Sequence, residues 1–172
     1  MRLFLVVGPS GAGKDTLIAG AIAADPRLYW ARRVITRPQS AGGEPHEGVD
    51  EAAFATRQLR GDFALHWQAN GLHYGVPHAE LPANRDVLLN GSRGAILQAL
   101  AAFPDLVIIH ITAPLTILAD RLDARGREAR GDIEARLGRA NLSFDTNLPV
   151  IGIVNDASLQ TGVARLLQAL RA

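Results

Sequence analysis

Residues 3–16 read LFLVVGPSGAGKDT, and their order decides the fold. Leu3 to Val7 make an unbroken apolar run, the pattern of a parallel strand buried on both faces. The run leads straight into Gly8-x-x-x-x-Gly13-Lys14, and the DTLIAGAIAAD that follows reads as a helix. Strand, glycine-rich turn, lysine and helix in that order specify a P-loop. Glycines let successive backbone N–H groups turn inward on a polyphosphate, and the helix N-terminus adds positive partial charge. Gly8, Pro9, Ser10, Gly11, Ala12, Gly13, Lys14, Asp15 and Thr16 are therefore the expected nucleotide-binding set, with Lys14 reaching the β- and γ-phosphates. The position after the lysine normally carries a hydroxyl that binds Mg²⁺, and here it is Asp15. Two roles stay open for it: holding Mg²⁺, directly or through a water, with Thr16 nearby, or capping the first helical turn.

The 172 residues suit a single domain spanning 1–172 with a full hydrophobic core, at 48% hydrophobic composition. A formal charge of +1 gives no bulk basic field for nucleic acid or an anionic membrane surface, so any anion must be bound locally. Cysteine is absent, which excludes disulfides and thiolate metal sites. His46, His66, His78 and His110 have no metal-ligand spacing. The apolar start is too short for a signal peptide, and LVIIHITAPL, residues 106–115, falls far below a membrane span. A cytoplasmic protein without nucleic-acid or membrane partners is the expectation.

Apolar runs alternate with helical stretches. Strands are expected at LFLVV, ARRVIT, DVLLN, LVIIHIT and VIGIVN, and helices near 15–24, 51–60, 93–102, 114–125, 131–145 and 158–171. The pattern is α/β with a parallel core sheet flanked by helices. RPQSAGGEPHEGVD, residues 37–50, reads as a loop entering a small inserted subdomain that ends near HYGVP. Ligands of open α/β sheets bind beyond the carboxyl ends of the strands. Arg32, Arg33, Arg37, Asn90, Ser92, Arg93, Asn155 and Asp156 follow or end apolar runs and form a convergent polar set. RLDARGREARGDIEARLGRA, residues 121–140, concentrates arginine, with Gly126 and Gly131 in its middle. Arg125, Arg127 and Arg130 are the candidate catalytic arginines of a lid over a transferring phosphoryl group.

Over nearly its whole length the chain resembles the guanylate kinase-like group of nucleoside monophosphate kinases. GPSGAGKDTL, VITRP with GGE and GVD, GDFALHW, GLHYG, RLDARGRE and VNDASL carry the likeness. It implies a P-loop kinase with a core, an acceptor-binding insertion at about 33–80 and a lid at about 122–134. It also implies ATP and Mg²⁺ as cofactors, with Asn155 and Asp156 near the adenine.

The departures from that group are specific. Leu65 stands where guanylate kinases carry the guanine-reading glutamate, Val76 where they carry a hydroxyl, and Arg33 where a small hydroxyl residue reads the base. The second phosphate-binding arginine falls on Ser40 or Ala41, and the tyrosine after GVD is Glu51. Losing several buried hydrogen-bond partners costs several kcal/mol, so GMP is a poor acceptor. An arginine where the base would sit suggests a second anionic group. With Asp15, Leu89-Asn90-Gly91-Ser92-Arg93 and GLHYG, the chain resembles the ribose 1,5-bisphosphate phosphokinases of phosphonate utilisation. That resemblance implies transfer from ATP to a sugar bisphosphate, giving 5-phosphoribosyl 1-diphosphate. Arg33, Arg37, Tyr74, Asn90, Ser92 and Arg93 are then the acceptor-binding candidates. A guanylate or other small-metabolite kinase, and a non-catalytic phospho-ligand binding module, are the alternatives.

Overall fold

The structure, a computed structural model, describes residues 1–41, 44–124 and 149–172. Five parallel strands form the central sheet: β1 (Leu3–Val7), β2 (Leu28–Trp30), β7 (Asp86–Asn90), β8 (Val107–Thr112) and β9 (Val150–Val154). Their order is β2-β7-β1-β8-β9, which puts β1 at the centre and the loop after it at a switch point between two neighbours.

Alternation along β1 divides the core. Phe4 and Val6 join Leu17, Ile18 and Ala21 of α1 (Lys14–Ala24), Leu118 of α4 (Leu115–Ala124) and Leu166 and Ala169 of α5 (Leu159–Ala169). Leu3, Leu5 and Val7 point the other way, onto Ile96 and Ala99 of α3 (Ile96–Ala102). A strand buried on both faces must be apolar throughout, which is why LFLVV shows no polar alternation.

A second sheet, in order β4-β3-β6-β5, is built from β3 (Arg33–Ile35), β4 (His46–Gly48), β5 (Phe63–Ala69) and β6 (Leu72–Pro77). Leu65 and Trp67 of β5 and Val76 of β6 pack into the same core cluster as Leu5 and Val7. The far end of this sheet is covered by α2 (Glu51–Leu59), where Phe54 stacks on Phe63 at 4.8 Å. Asp50 caps α2 by accepting from the Ala53 N–H at 2.7 Å, and Ser158 caps α5 in the same way.

Two expectations change. The strand in ARRVIT exists, but it lies in the second sheet, and the edge strand of the parallel sheet is instead the short Leu28–Trp30. The helix expected from residue 93 starts with a 3₁₀ turn, Arg93–Ala95, before α3. The helix expected at 131–145 lies outside the described residues. Among the described residues no helix is long and apolar enough to cross a membrane.

Candidate functional site

One cavity of about 500 Å³ opens beyond the carboxyl ends of β1 and β7, with the glycine-rich loop as one wall and the second sheet as the other. The loop wall is set by backbone. Gly8, Gly11 and Gly13 have φ of 151°, 87° and 89°, values that side-chain-bearing residues rarely adopt. A Cβ on Gly8 would also collide with the Ile111 carbonyl of β8, so the loop can lie this close to the sheet only as glycine. Lys14 opens α1, and its Nζ donates to the carbonyls of Gly8 and Pro9 at 2.9 and 3.2 Å. The ammonium is thus held over the loop it would share with a phosphate.

Asp15 and Thr16 line the same cavity. Gly13, the N-cap of α1, makes no side-chain cap, and the Asp15 carboxylate accepts a hydrogen bond from Asn90 Nδ2 at 2.5 Å. Asp15 therefore reaches across to the end of β7. The strand end itself cannot easily bear an acid at Gly91, because a Cβ there would lie 2.5 Å from Leu5 Cδ1.

The opposite wall is made of side chains. Arg33 is 7% exposed and grips Glu44, itself 8% exposed, through two donors: Nη2 on Oε1 and Nε on Oε2. Its guanidinium lies over the rings of Tyr74 and Trp67, at 4.9 and 5.6 Å, and those rings stack at 5.4 Å. Glu44 Oε2 accepts a further hydrogen bond from Asn90 Nδ2 at 3.2 Å. Arg37 and Arg93 line the cavity too, and burial lowers the Arg93 pKa from its ordinary value. Arg37 Nη2 lies 3.5 Å from His46 Nδ1, which is held by the Glu44 carbonyl at 3.0 Å. Behind Lys14 and Arg93, burial and then the two cations push His110 of β8 from the usual 6.5 to about 4.

Lys14, Asp15, Thr16, Arg33, Arg37, Tyr74, Asn90, Ser92 and Arg93 all meet in this cavity. Leu65 does not reach it and is 2% exposed in the core. Asn155 and Asp156 also lie elsewhere. Asn155 is 5% exposed and donates to the Ala12 carbonyl at 2.8 Å, bracing the glycine-rich loop from behind. Asp156 makes an exposed ion pair with Arg165 at 2.7 Å, and that hydrogen bond lowers its pKa. Arg125, Arg127 and Arg130 lie outside the described residues.

Sequence reasoning gave no separate role to Glu44, Trp67 or Gln68, all of which line the cavity. Trp67 had a usable signal. Phe63, Leu65 and Trp67 alternate with polar or small residues, and Asn70-Gly71 follows, the strongest short hairpin signature. Asn70 and Gly71 have φ of 52° and 72°, as a type I′ turn requires. Glu44, a charge in a Gly- and Pro-containing loop, carries no local sign of burial.

No metal cage is formed: among the described residues no three His, Asp or Glu side chains cluster to hold an ion. Asp15 and Thr16 beside a phosphate-binding loop nevertheless fit Mg²⁺, which keeps several waters and takes one or two protein ligands together with substrate phosphates.

No family model matches the chain. It is 44% identical to ribose 1,5-bisphosphate phosphokinase PhnN of Ruegeria sp., across 97% of this chain and 92% of that protein. It is 48% identical to the bifunctional ribose 1,5-bisphosphokinase-thymidine phosphorylase of Cupriavidus necator, across 98% of this chain but 29% of that one. The chain thus spans less than a third of the length of the bifunctional relatives it matches. In three dimensions it superposes on guanylate kinase from Anaplasma phagocytophilum with a TM-score of 0.72 at 20% identity, over 99% of this chain and 84% of the other. That likeness fixes the fold.

Proposed function

The chain belongs to the ribose 1,5-bisphosphate phosphokinase family, and from that premise we propose that it moves the γ-phosphoryl group of ATP onto the 1-phosphate of ribose 1,5-bisphosphate, yielding 5-phosphoribosyl 1-diphosphate and ADP. The observation that carries the reading is the single cavity in which a P-loop faces Arg37, Arg93 and the Arg33–Glu44 pair. Phosphoryl transfer needs its donor and acceptor in line within one water-poor space, and asks for positioning and charge neutralisation more than for covalent help. An acceptor phosphate is already a nucleophile at neutral pH, so the site has no need of a general base.

In this reading the loop N–H groups and Lys14 hold the β- and γ-phosphates of ATP. Asp15 and Thr16 would hold Mg²⁺ beside these phosphates, and the ion would supply charge neutralisation there. Arg37 and Arg93 bind the acceptor phosphates, with Asn90, Ser92 and Tyr74 lining the sugar side. Arg33 acts differently from the sequence expectation. Its charge is matched by Glu44, so the residue supplies a rigid, charge-balanced floor in place of an extra positive charge. Such a floor, backed by stacked Trp67 and Tyr74, suits a polar sugar. We assign residues of about 33–80 to the acceptor-binding insertion and the reaction to the cytoplasm.

The experiment is ADP formation by the purified protein with Mg²⁺-ATP and either ribose 1,5-bisphosphate or GMP, with the product identified by mass. Diphosphate on the sugar, and none on GMP, is expected. Turnover of GMP alone would sink the acceptor assignment and leave a guanylate kinase.

A further inference from the structure

Three of the four residues that span the cavity floor stand at the ends of elements or in the segments between them. Asp15 stands in the first turn of α1 just after the loop, Glu44 in the segment before β4, and Arg33 at the start of a three-residue strand. The fourth, Asn90, is anchored. It ends β7, pairs with Val6 in the parallel register, and is followed by Gly91, whose N–H donates to the Val6 carbonyl at 2.9 Å. Asn90 is 3% exposed, and its Nδ2 faces Asp15 Oδ1 at 2.5 Å and Glu44 Oε2 at 3.2 Å.

We infer that Asn90 is a positioning residue that couples the two walls: its amide fixes Asp15 on the loop side and Glu44, and through Glu44 the Arg33 guanidinium, on the acceptor side. The residue type follows from hydrogen-bond inventory. One –NH₂ group carries two donors, enough for one oxygen of each carboxylate, and adds no charge between them. Aspartate at the same place would bring a third carboxylate and no donor. An apolar residue would leave two carboxylate oxygens facing each other in a partly desolvated cavity, where an unpaired polar group is costly. Geometry held this way is what a reaction dependent on placement requires, since a first shell is only as accurate as the groups that lock it. The inference deepens the proposed function and rests on it only in naming the second wall as the acceptor side.

The test is a double-variant cycle. Asp15→Asn and Glu44→Gln are made singly and together, first with Asn90 present and then in an Asn90→Ala background. Dissociation constants for Mg²⁺-ATP come from titration calorimetry, alongside kcat/KM for the acceptor. With Asn90 present, the combined variant should depart from the product of the single effects by about 3-fold or more, as members of one hydrogen-bond network do. In the Asn90→Ala background, where the two carboxylates face each other as bare like charges, the departure should shift by about 3-fold or more. Effects that simply multiply with Asn90 in place overturn the coupling, and so does a departure that Asn90→Ala leaves unchanged. Asn90→Ser serves the same comparison if the alanine variant does not fold. ATP affinity involves no acceptor, so an intact cycle in a protein that ignores ribose 1,5-bisphosphate would refute the acceptor assignment and leave the coupling standing.

Discussion

The two walls of the cavity are made of different material. The loop wall is nine consecutive residues whose chemistry lies in backbone N–H groups, three glycines at positive φ and one lysine. The wall we assign to the acceptor is assembled from side chains far apart in sequence: Arg33, Glu44, Trp67, Tyr74 and Asn90. Backbone recognition is local, so it is specified by spacing and tolerates little change. Side-chain recognition is distributed, so the same fold can host a different acceptor when a few residues are exchanged.

Lys14→Ala is the sharpest probe of the loop wall and the largest expected effect. Lys14 is the only lysine in the sequence, and its ammonium donates to the carbonyls of Gly8 and Pro9 in the loop. Removing a preorganised charge from a phosphoryl-transfer site should lower kcat/KM by about 10²–10³-fold. The thermal midpoint should scarcely move. A loss below tenfold in ADP release would mean that charge stabilisation does not reside in this wall.

Glu44→Gln should show the converse on the acceptor wall, a loss of stability before anything else. Breaking a buried ion pair by neutralising one partner leaves the other charged and desolvated, at a cost of about 3–5 kcal/mol. Here the stranded partner would be Arg33, buried on its aromatic shelf. Urea unfolding measures it. The double variant Arg33→Met with Glu44→Gln should recover much of that loss while acceptor KM stays raised. Full stability in Glu44→Gln alone would show that the pair contributes nothing to the fold and break the contrast between the walls.

The same contrast explains how much could be read in advance. LFLVVGPSGAGKDT spells its own structure because each residue's role depends on its neighbours along the chain. The second sheet does not. Its first strand, within ARRVIT, looks like any core strand, and only pairing with Tyr74 and Gly75 places it in the second sheet. Leu28–Trp30, three residues next to Pro26 and Arg27, is too short to show a period, yet it closes the parallel sheet beside β7. Asn155 follows a strand, and only the structure shows its amide donating to the Ala12 carbonyl 143 residues away in sequence. Glu44 is the extreme case, since only contacts with Arg33 and Asn90 separate it from a solvated loop acid.

A smaller effect belongs to the hairpin that carries Trp67 and Tyr74 into the cavity. Gly71 has φ of 72° and open space around its Cα, so alanine there meets strain but no clash. Gly71→Ala should cost about 1 kcal/mol by thermal or urea unfolding, with acceptor KM rising only as the Trp67–Tyr74 register loosens. A cost near zero would mean the turn is not held in the left-handed region, and the register would then be set by packing of Leu65 and Trp67 alone.

The smallest effect lies where the walls meet. His110 sits behind Lys14 and Arg93, and burial first, then those two cations, hold its pKa at about 4 against the usual 6.5. The folded state therefore binds fewer protons than the unfolded chain between pH 6.5 and about 4, and stability falls as pH drops through that window. Above pH 6.5 the residue is neutral in both states and contributes no slope. His110→Gln should flatten the descent relative to the unmodified protein while changing nothing above pH 7. It should also leave the pH–rate profile without a missing step near 6.5, since a neutral imidazole adds no charge to the cavity at working pH. A step near 6.5 that His110→Gln abolishes would mean the ring is protonated beside Lys14 and Arg93, making the junction of the walls more cationic than their burial allows.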